Sequence, residues 1–189
     1  MHTNFNIELK YDEDTIDYSP FGDNTIAILS WWIKSNLEIK YSDMLTSNII
    51  SLNRIDIFEF MLANSMEIKC SDTIMNGINS PEMFNFWINN NLPIKYTVCS
   101  MDYAIEDVLN MWFKSGLELK YSEESIDIAF RRNRINILDW WLKSGLPIKH
   151  SKYAYSGKRG KGYDQSTIQW WQDSGLPLEY IERITIGKN

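Results

Sequence analysis

Apolar residues recur at helical spacing in short blocks along this chain, and each block runs into a brief alternating stretch. Ile126, Ala129 and Phe130 stand at i, i+3 and i+4 and share one helical face. Ile135, Ile137, Leu138, Trp140, Trp141 and Leu142 form a wider apolar face on the next block. The alternating stretches read Leu-(Glu/Pro)-(Ile/Leu)-Lys-Tyr. Pro93, Pro147 and Pro177 sit inside them, which excludes helix there. The pattern predicts pairs of helices, A then B, joined by extended straps.

The blocks are copies of one another. WWIKSNLEIKY fills 31–41, MWFKSGLELKY 111–121, WWLKSGLPIKH 140–150 and WWQDSGLPLEY 170–180. Weaker copies are FMLANSMEIKC at 60–70 and FWINNNLPIKY at 86–96, with a half-copy, IELKY, at 7–11. The slot after the strap lysine holds Tyr11, Tyr41, Cys70, Tyr96, Tyr121, His150 and Tyr180, at intervals of 30, 29, 26, 25, 29 and 30 residues. The two central units are short by about one helical turn of 3.6 residues, so their apolar faces stay nearly in phase. That predicts a deletion in a helix; a cut of equal length in a loop is the alternative. The units fall at 7–36, 37–65, 66–91, 92–116, 117–145 and 146–175, with a tail over 176–189, all in one repeat domain covering 1–189.

Punctuation follows the same register. Asp12, Ser42, Ser71, Thr97, Ser122 and Ser151 stand where each helix A begins and are residues that cap free amides. Glu123, Glu124, Asp43 and Asp72 follow and complement the helix dipole. Asn53-Arg54 and Asn133-Arg134 mark the turn to helix B, Ser80-Pro81 does so in the third unit, and Asp23 is placed at the start of the first helix B. Helix B ends at Asn36, Ser65, Asn91, Gly116, Gly145 and Gly175, a slot that suits left-handed backbone. Ser65 fits it worst, so the second unit is expected to be the least well capped. The recurring Trp and Tyr stripes are expected to be core.

The tract from Arg131 to Leu146 resembles the second-helix signature of the ankyrin repeat, with Trp140 and Trp141 where that family has paired leucines. With Ser-Gly-Leu-x-Leu-Lys-Tyr behind it, the pattern is similar to the divergent ankyrin-like proteins of giant DNA viruses of amoebae and of amoebae themselves. The likeness spans about Ile7 to Tyr180. It implies an all-α, ankyrin-like solenoid of about six stacked helix–turn–helix repeats. It also implies a non-enzymatic scaffold that binds a host or viral protein through the A-helix face, inside the cell. The family period is about 33 residues. The shorter interval here implies that the β-hairpin fingers are cut back to the straps, and the Thr-Pro-Leu-His motif is absent from every unit.

Charge and composition narrow the chemistry. The net charge of −6 disfavours general nucleic-acid binding by the whole chain. Cys70, Cys99, His2 and His150 show no zinc spacing, and two cysteines make no disulfide framework. No apolar stretch approaches a membrane span, no signal peptide is evident, and a reducing intracellular compartment fits. No catalytic constellation, cofactor motif or metal set is expected. One local exception is basic. Lys152, Lys158, Arg159 and Lys161, with interleaved tyrosines and glycines, replace helix A of the sixth unit, and Arg131, Arg132 and Arg134 lie one unit away. Together they offer a phosphate or nucleic-acid grip. The plainer alternative is a solvated loop beside arginines that complement the end of a helix. A purely structural role in a virion is a third expectation. Trp170 and Trp171 close the array, and unless the tail (Ile181, Ile184, Ile186) covers them they invite self-association.

Overall fold

The computed structural model describes residues 10–151 and 164–176. Every regular element among them is helical: α1 (Asp14–Asp17), α2 (Thr25–Lys34), α3 (Asp43–Ser51), α4 (Ile55–Ala63), α5 (Pro81–Asn89), α6 (Cys99–Asp102), α7 (Glu106–Lys114), α8 (Glu124–Arg131), α9 (Ile135–Ser144) and α10 (Gln165–Asp173). Short 3₁₀ turns at Ser19–Phe21 and Ile74–Gly77 complete the set. The all-α expectation therefore holds, and the straps between Leu37 and Tyr41 or Leu117 and Tyr121 carry no helix.

Helix B is nearly constant, at 9 or 10 residues in α2, α4, α5, α7, α9 and α10. Helix A absorbs the variation. It has 9 residues in α3 and 8 in α8, but only a four-residue 3₁₀ turn at Ile74–Gly77 and four residues in α6. Helix A is thus short in both central units, and α1 of the first unit is equally short but is followed by the 3₁₀ turn at Ser19–Phe21 within its 30-residue interval. A short helix A survives because burial against its neighbours, rather than intrinsic propensity, holds it.

All six predicted helix-B ends adopt the left-handed backbone: Asn36, Ser65, Asn91, Gly116, Gly145 and Gly175 have φ between 52° and 75°. Two closures are used. Where serine precedes the slot, its hydroxyl relays the chain end. Ser115 Oγ donates to Trp112 O at 2.7 Å and accepts from Leu117 N–H at 3.1 Å. Ser35, Ser144 and Ser174 do the same. Where that serine is missing, the backbone closes directly: Met66 N–H donates to Met61 O and Ser65 N–H to Leu62 O, and Leu92 and Asn91 repeat the pair. The Ser65 cap thus closes through both backbone bonds, with the strain of a non-glycine residue at φ 55°. Asn53 and Asn133, at φ 52° and 53°, close α3 and α8 in the same backbone manner.

At the amino ends, Ser42 and Ser122 accept from the amides of Met44 and Glu124, and Ser80 accepts from Met83 N–H with Pro81 at the first helical position. Helix α2 begins one residue later than its sequence suggests. Asn24, not Asp23, flanks it, because Thr25 Oγ1 is drawn back to Gly22 O.

Two compact units divide the contacts. The first holds the described residues up to Ile78 with Asn85–Lys95; the second holds Asn79–Phe84 with the described residues from Tyr96 onward. In the first, Ile16, Leu29, Leu45, Ile49, Ile57, Phe58 and Met61 are fully buried, and Phe58 meets Trp87 edge-on at 5.8 Å. In the second, Val108, Leu109, Leu138 and Trp171 are fully buried, and Trp112 meets Phe84 and Trp171 meets Phe130 edge-on at 5.0 and 5.3 Å. Edge-to-face packing of this kind adds about 0.5–1.5 kcal/mol to what area burial alone provides.

Candidate functional site

The recurring polar residues turn inward to join one repeat to the next. Asp17, Asp102 and Asp127 lie on helix A and are buried, with Asp127 at 0% exposure. Each grips the cap serine of the following repeat. Ser42 donates from its amide at 2.9 Å and its hydroxyl at 2.6 Å to the two oxygens of Asp17. Ser122 does the same to Asp102 at 2.8 and 2.6 Å, and Ser151 to Asp127. Each of these hydroxyls donates to its aspartate, and those of Ser42 and Ser122 also accept from their own helix, so helix capping and repeat joining share one atom. Burial pushes the Asp102 and Asp127 carboxyls up from their ordinary value, and the serine hydrogen bonds act against that rise.

The straps form a second joint. Tyr41 OH donates to Glu67 O, Tyr96 OH to Glu118 O and Tyr121 OH to Pro147 O, at 2.9–3.0 Å, each reaching the next strap. The lysine of that next strap lies over the tyrosine ring: Lys69 on Tyr41 at 4.7 Å, Lys120 on Tyr96 at 4.6 Å and Lys149 on Tyr121 at 4.1 Å. Lys69 and Lys149 also donate to the tyrosine's own carbonyl. The Lys-Tyr dipeptide of the repeat is therefore a cation–π clasp between straps. Tyr11, Tyr96 and Tyr121 pack on Trp32, Trp112 and Trp141, and His150 takes the same slot against Trp171.

The tryptophan pair splits, against the expectation that both members are core. The second member is buried in every pair, at Trp32, Trp141 and Trp171, and so are Trp87 and Trp112, which take the same slot after Phe86 and Met111. The first member faces outward on helix B. Trp31 is 53% exposed, and Trp140 and Trp170 are half-buried. Their indoles donate to the preceding helix B, Trp140 to Asn110 at 2.8 Å and Trp170 to Asp139 at 2.7 Å. At the end of the described array Trp171 is fully buried and Trp170 half-buried.

An open groove of about 360 Å³ lies on this outward face, between α7 and α9. Phe113 and Trp140 meet edge-on at 6.0 Å along it, and Phe113 is 46% exposed. Glu106, Asn110, Asn136, Asp139, Lys143 and Ser144 complete the lining. Asn136 donates to Glu106 at 3.2 Å and Lys143 to Asp139 at 3.1 Å. Hydrogen bonds from Trp170 and Lys143 hold the Asp139 carboxyl below the usual carboxylate range, so it is an anion at neutral pH. Helix α8, by contrast, is buried over six consecutive residues from Ser125 to Phe130, which leaves little of its face open.

The arginines of the basic reading do not act as one free cluster. Arg131 stands in the last turn of α8 and pairs with Glu124 on its own helix at 3.1 Å. Arg132 is exposed just beyond that turn. Arg134 precedes α9 where Arg54 precedes α4; Arg54 holds Asp56 with two 2.8 Å bonds, whereas Arg134 has Asn136 in that place. Lys152, Lys158, Arg159 and Lys161 lie outside the described residues, as do the sixth helix A and the tail from 177 onward. Among the described residues no group of His, Cys, Asp and Glu is placed to hold a metal, and no helix is long and apolar enough to cross a membrane.

No protein-family model, curated protein or solved structure matches the chain. The buried aspartates and the divided roles of the tryptophan pair escaped the sequence reading. The aspartates had a signal, since all three stand five residues after a cap slot, at Asp12, Thr97 and Ser122.

Proposed function

We propose that this chain is a non-enzymatic protein-binding scaffold built as an ankyrin-like stack of helix pairs, of the kind its repeat resembles. One observation carries the reading. The recurring Ser, Tyr, Lys and buried Asp side chains are engaged in repeat-to-repeat joints, while an open aromatic groove stays on the outward face of α7 and α9. Neighbour-to-neighbour joints that leave an extended surface open are how repeat arrays present a binding face. The resemblance points to the A-helix face. Burial of α8 and the open aromatic groove on α7 and α9 favour the B-helix face in the second unit. The setting that goes with the resemblance is the interior of an amoebal host cell.

The test is affinity capture by the intact chain from amoebal lysate, with the retained protein confirmed by purified binding at low and high salt. A single stoichiometric protein partner supports the scaffold. Retention of generic RNA alone, lost with added salt, overturns it in favour of a phosphate-binding role.

A further inference from the structure

We infer that the groove between α7 and α9 is a receptor for an arginine side chain of a basic peptide segment. The inference rests on the scaffold reading and specifies its contact. The argument begins with the walls. The indole of Trp140 and the ring of Phe113 present aromatic surface beside two carboxylates, Glu106 and Asp139. Aromatic faces attract cations, tryptophan most strongly, and a planar guanidinium both stacks on a ring and offers its edge to a carboxylate.

Acceptor capacity remains after the internal bonds are counted. An ionised carboxylate has about four acceptor positions. Glu106 gives one to Asn136, and Asp139 gives one each to Trp170 and Lys143. Among the described residues Lys143 is the one cation lining the groove, and its side chain is 76% exposed. It partners Asp139 from solvent and leaves the aromatic wall uncovered. An exposed pair of this kind contributes little and yields readily to a better donor.

Size and preorganisation fit as well. The volume of about 360 Å³ sits at the small end of the range for ligand sites, roughly 300–1,000 Å³, which suits one long side chain. The bond from Trp140 to Asn110 fixes the indole before any guest arrives, so little side-chain freedom is lost on binding. A neutral apolar guest would satisfy the rings but strand the carboxylates. An anionic guest would meet like charge.

The experiment follows the tryptophan indole N–H signals of the intact chain by NMR, with Trp140→Phe used to assign the Trp140 signal. The probes are acetyl-Gly-Arg-Gly-Arg-Gly amide and the same peptide with citrulline, a neutral isostere, in place of arginine. The expected result is a saturable shift of the Trp140 signal with the arginine peptide and at least tenfold weaker binding of the citrulline peptide. The double variant Glu106→Gln with Asp139→Asn, which keeps side-chain oxygens for Asn136 and Trp170, is expected to weaken the arginine peptide at least tenfold. Phe113→Ala, at an exposed position, is expected to weaken it as well while leaving the circular dichroism unchanged. Absence of a saturable shift, equal response to both peptides, or indifference to the double variant and to Phe113→Ala overturns the assignment. If the intact chain captures a protein partner but Trp140 ignores the arginine peptide, the groove assignment alone falls. If Trp140 responds as expected and no partner is captured, the scaffold reading alone falls.

Discussion

At the residue scale, the slot that ends helix B shows how local chemistry is chosen. Glycine, asparagine and one serine occupy it because the chain there must turn through positive φ. A Cβ built on Gly116 would meet no atom within 4 Å, so space is not the constraint. Replacing Gly116 by valine therefore costs backbone strain alone, about 1–3 kcal/mol. The thermal midpoint should fall by at least about 2 °C, and an unchanged midpoint would contradict the cap assignment. The serine before the slot is a second, separable device. Ser144→Ala removes the acceptor for Leu146 N–H and the donor to Trp141 O. We expect a loss of about 1 kcal/mol in urea denaturation. The second repeat, which closes the same turn through Met66 and Met61, shows why the serine is absent there without an unpaired amide.

At the element scale, the buried aspartates decide how one helix A meets the next repeat. Asp127, fully buried, receives two hydrogen bonds from Ser151, and truncating it leaves that amide and hydroxyl without this acceptor. Asp127→Ala should cost about 3 kcal/mol. A variant within a few tenths of a kcal/mol of the parent in urea melts would show that the joint does not hold the repeats. The pH dependence has an unusual sign. Burial raises the Asp102 and Asp127 carboxyls, with Glu123 and Glu124 adding to the rise at Asp102, Glu124 at Asp127, and Arg131 opposing it at Asp127. The folded state holds these protons more tightly than the unfolded chain. Their contribution is full below the ordinary carboxylate value and is lost as pH rises through the raised folded value. Asp56 and Asp139 run the other way: both are lowered, so their contribution is present at neutral pH and lost as pH falls through their folded values. As pH falls from neutral toward the ordinary carboxylate value, the raised pair takes up its protons before the lowered pair does, so stability gains on mild acidification. Comparing urea midpoints across that interval for the parent and for Asp102→Asn with Asp127→Asn checks it; an equal gain in both would assign the effect elsewhere.

At the scale of the whole molecule, charge separates the binding readings. The net charge of −6 and the acidic groove suit a basic protein segment better than a polyanion. Replacing Lys158, Arg159 and Lys161 together by serine should leave protein capture unchanged within about twofold, an interval small beside the tenfold that 1.4 kcal/mol represents. Binding measured at low and high salt decides this, since a steep change in salt slope on losing those three cations would mark them as the contact surface.

Much of the architecture could be read directly from residue order. The slots for Asn36, Ser65, Asn91, Gly116, Gly145 and Gly175 and the caps at Ser42 and Ser122 follow from spacing, because a cap is a property of a few consecutive residues. Other features were settled only when repeats met. Trp140 and Trp141 are adjacent and chemically alike, and nothing local says that one faces the core and the other bonds to Asn110 on the preceding helix. Asp127 resembles any helical carboxylate until Ser151 closes over it. The groove exists only where α7 lies beside α9. Periodicity fixes which residues share a face of one helix, whereas what that face meets is decided by distant chain segments, and in this protein it is that meeting which forms the groove between α7 and α9.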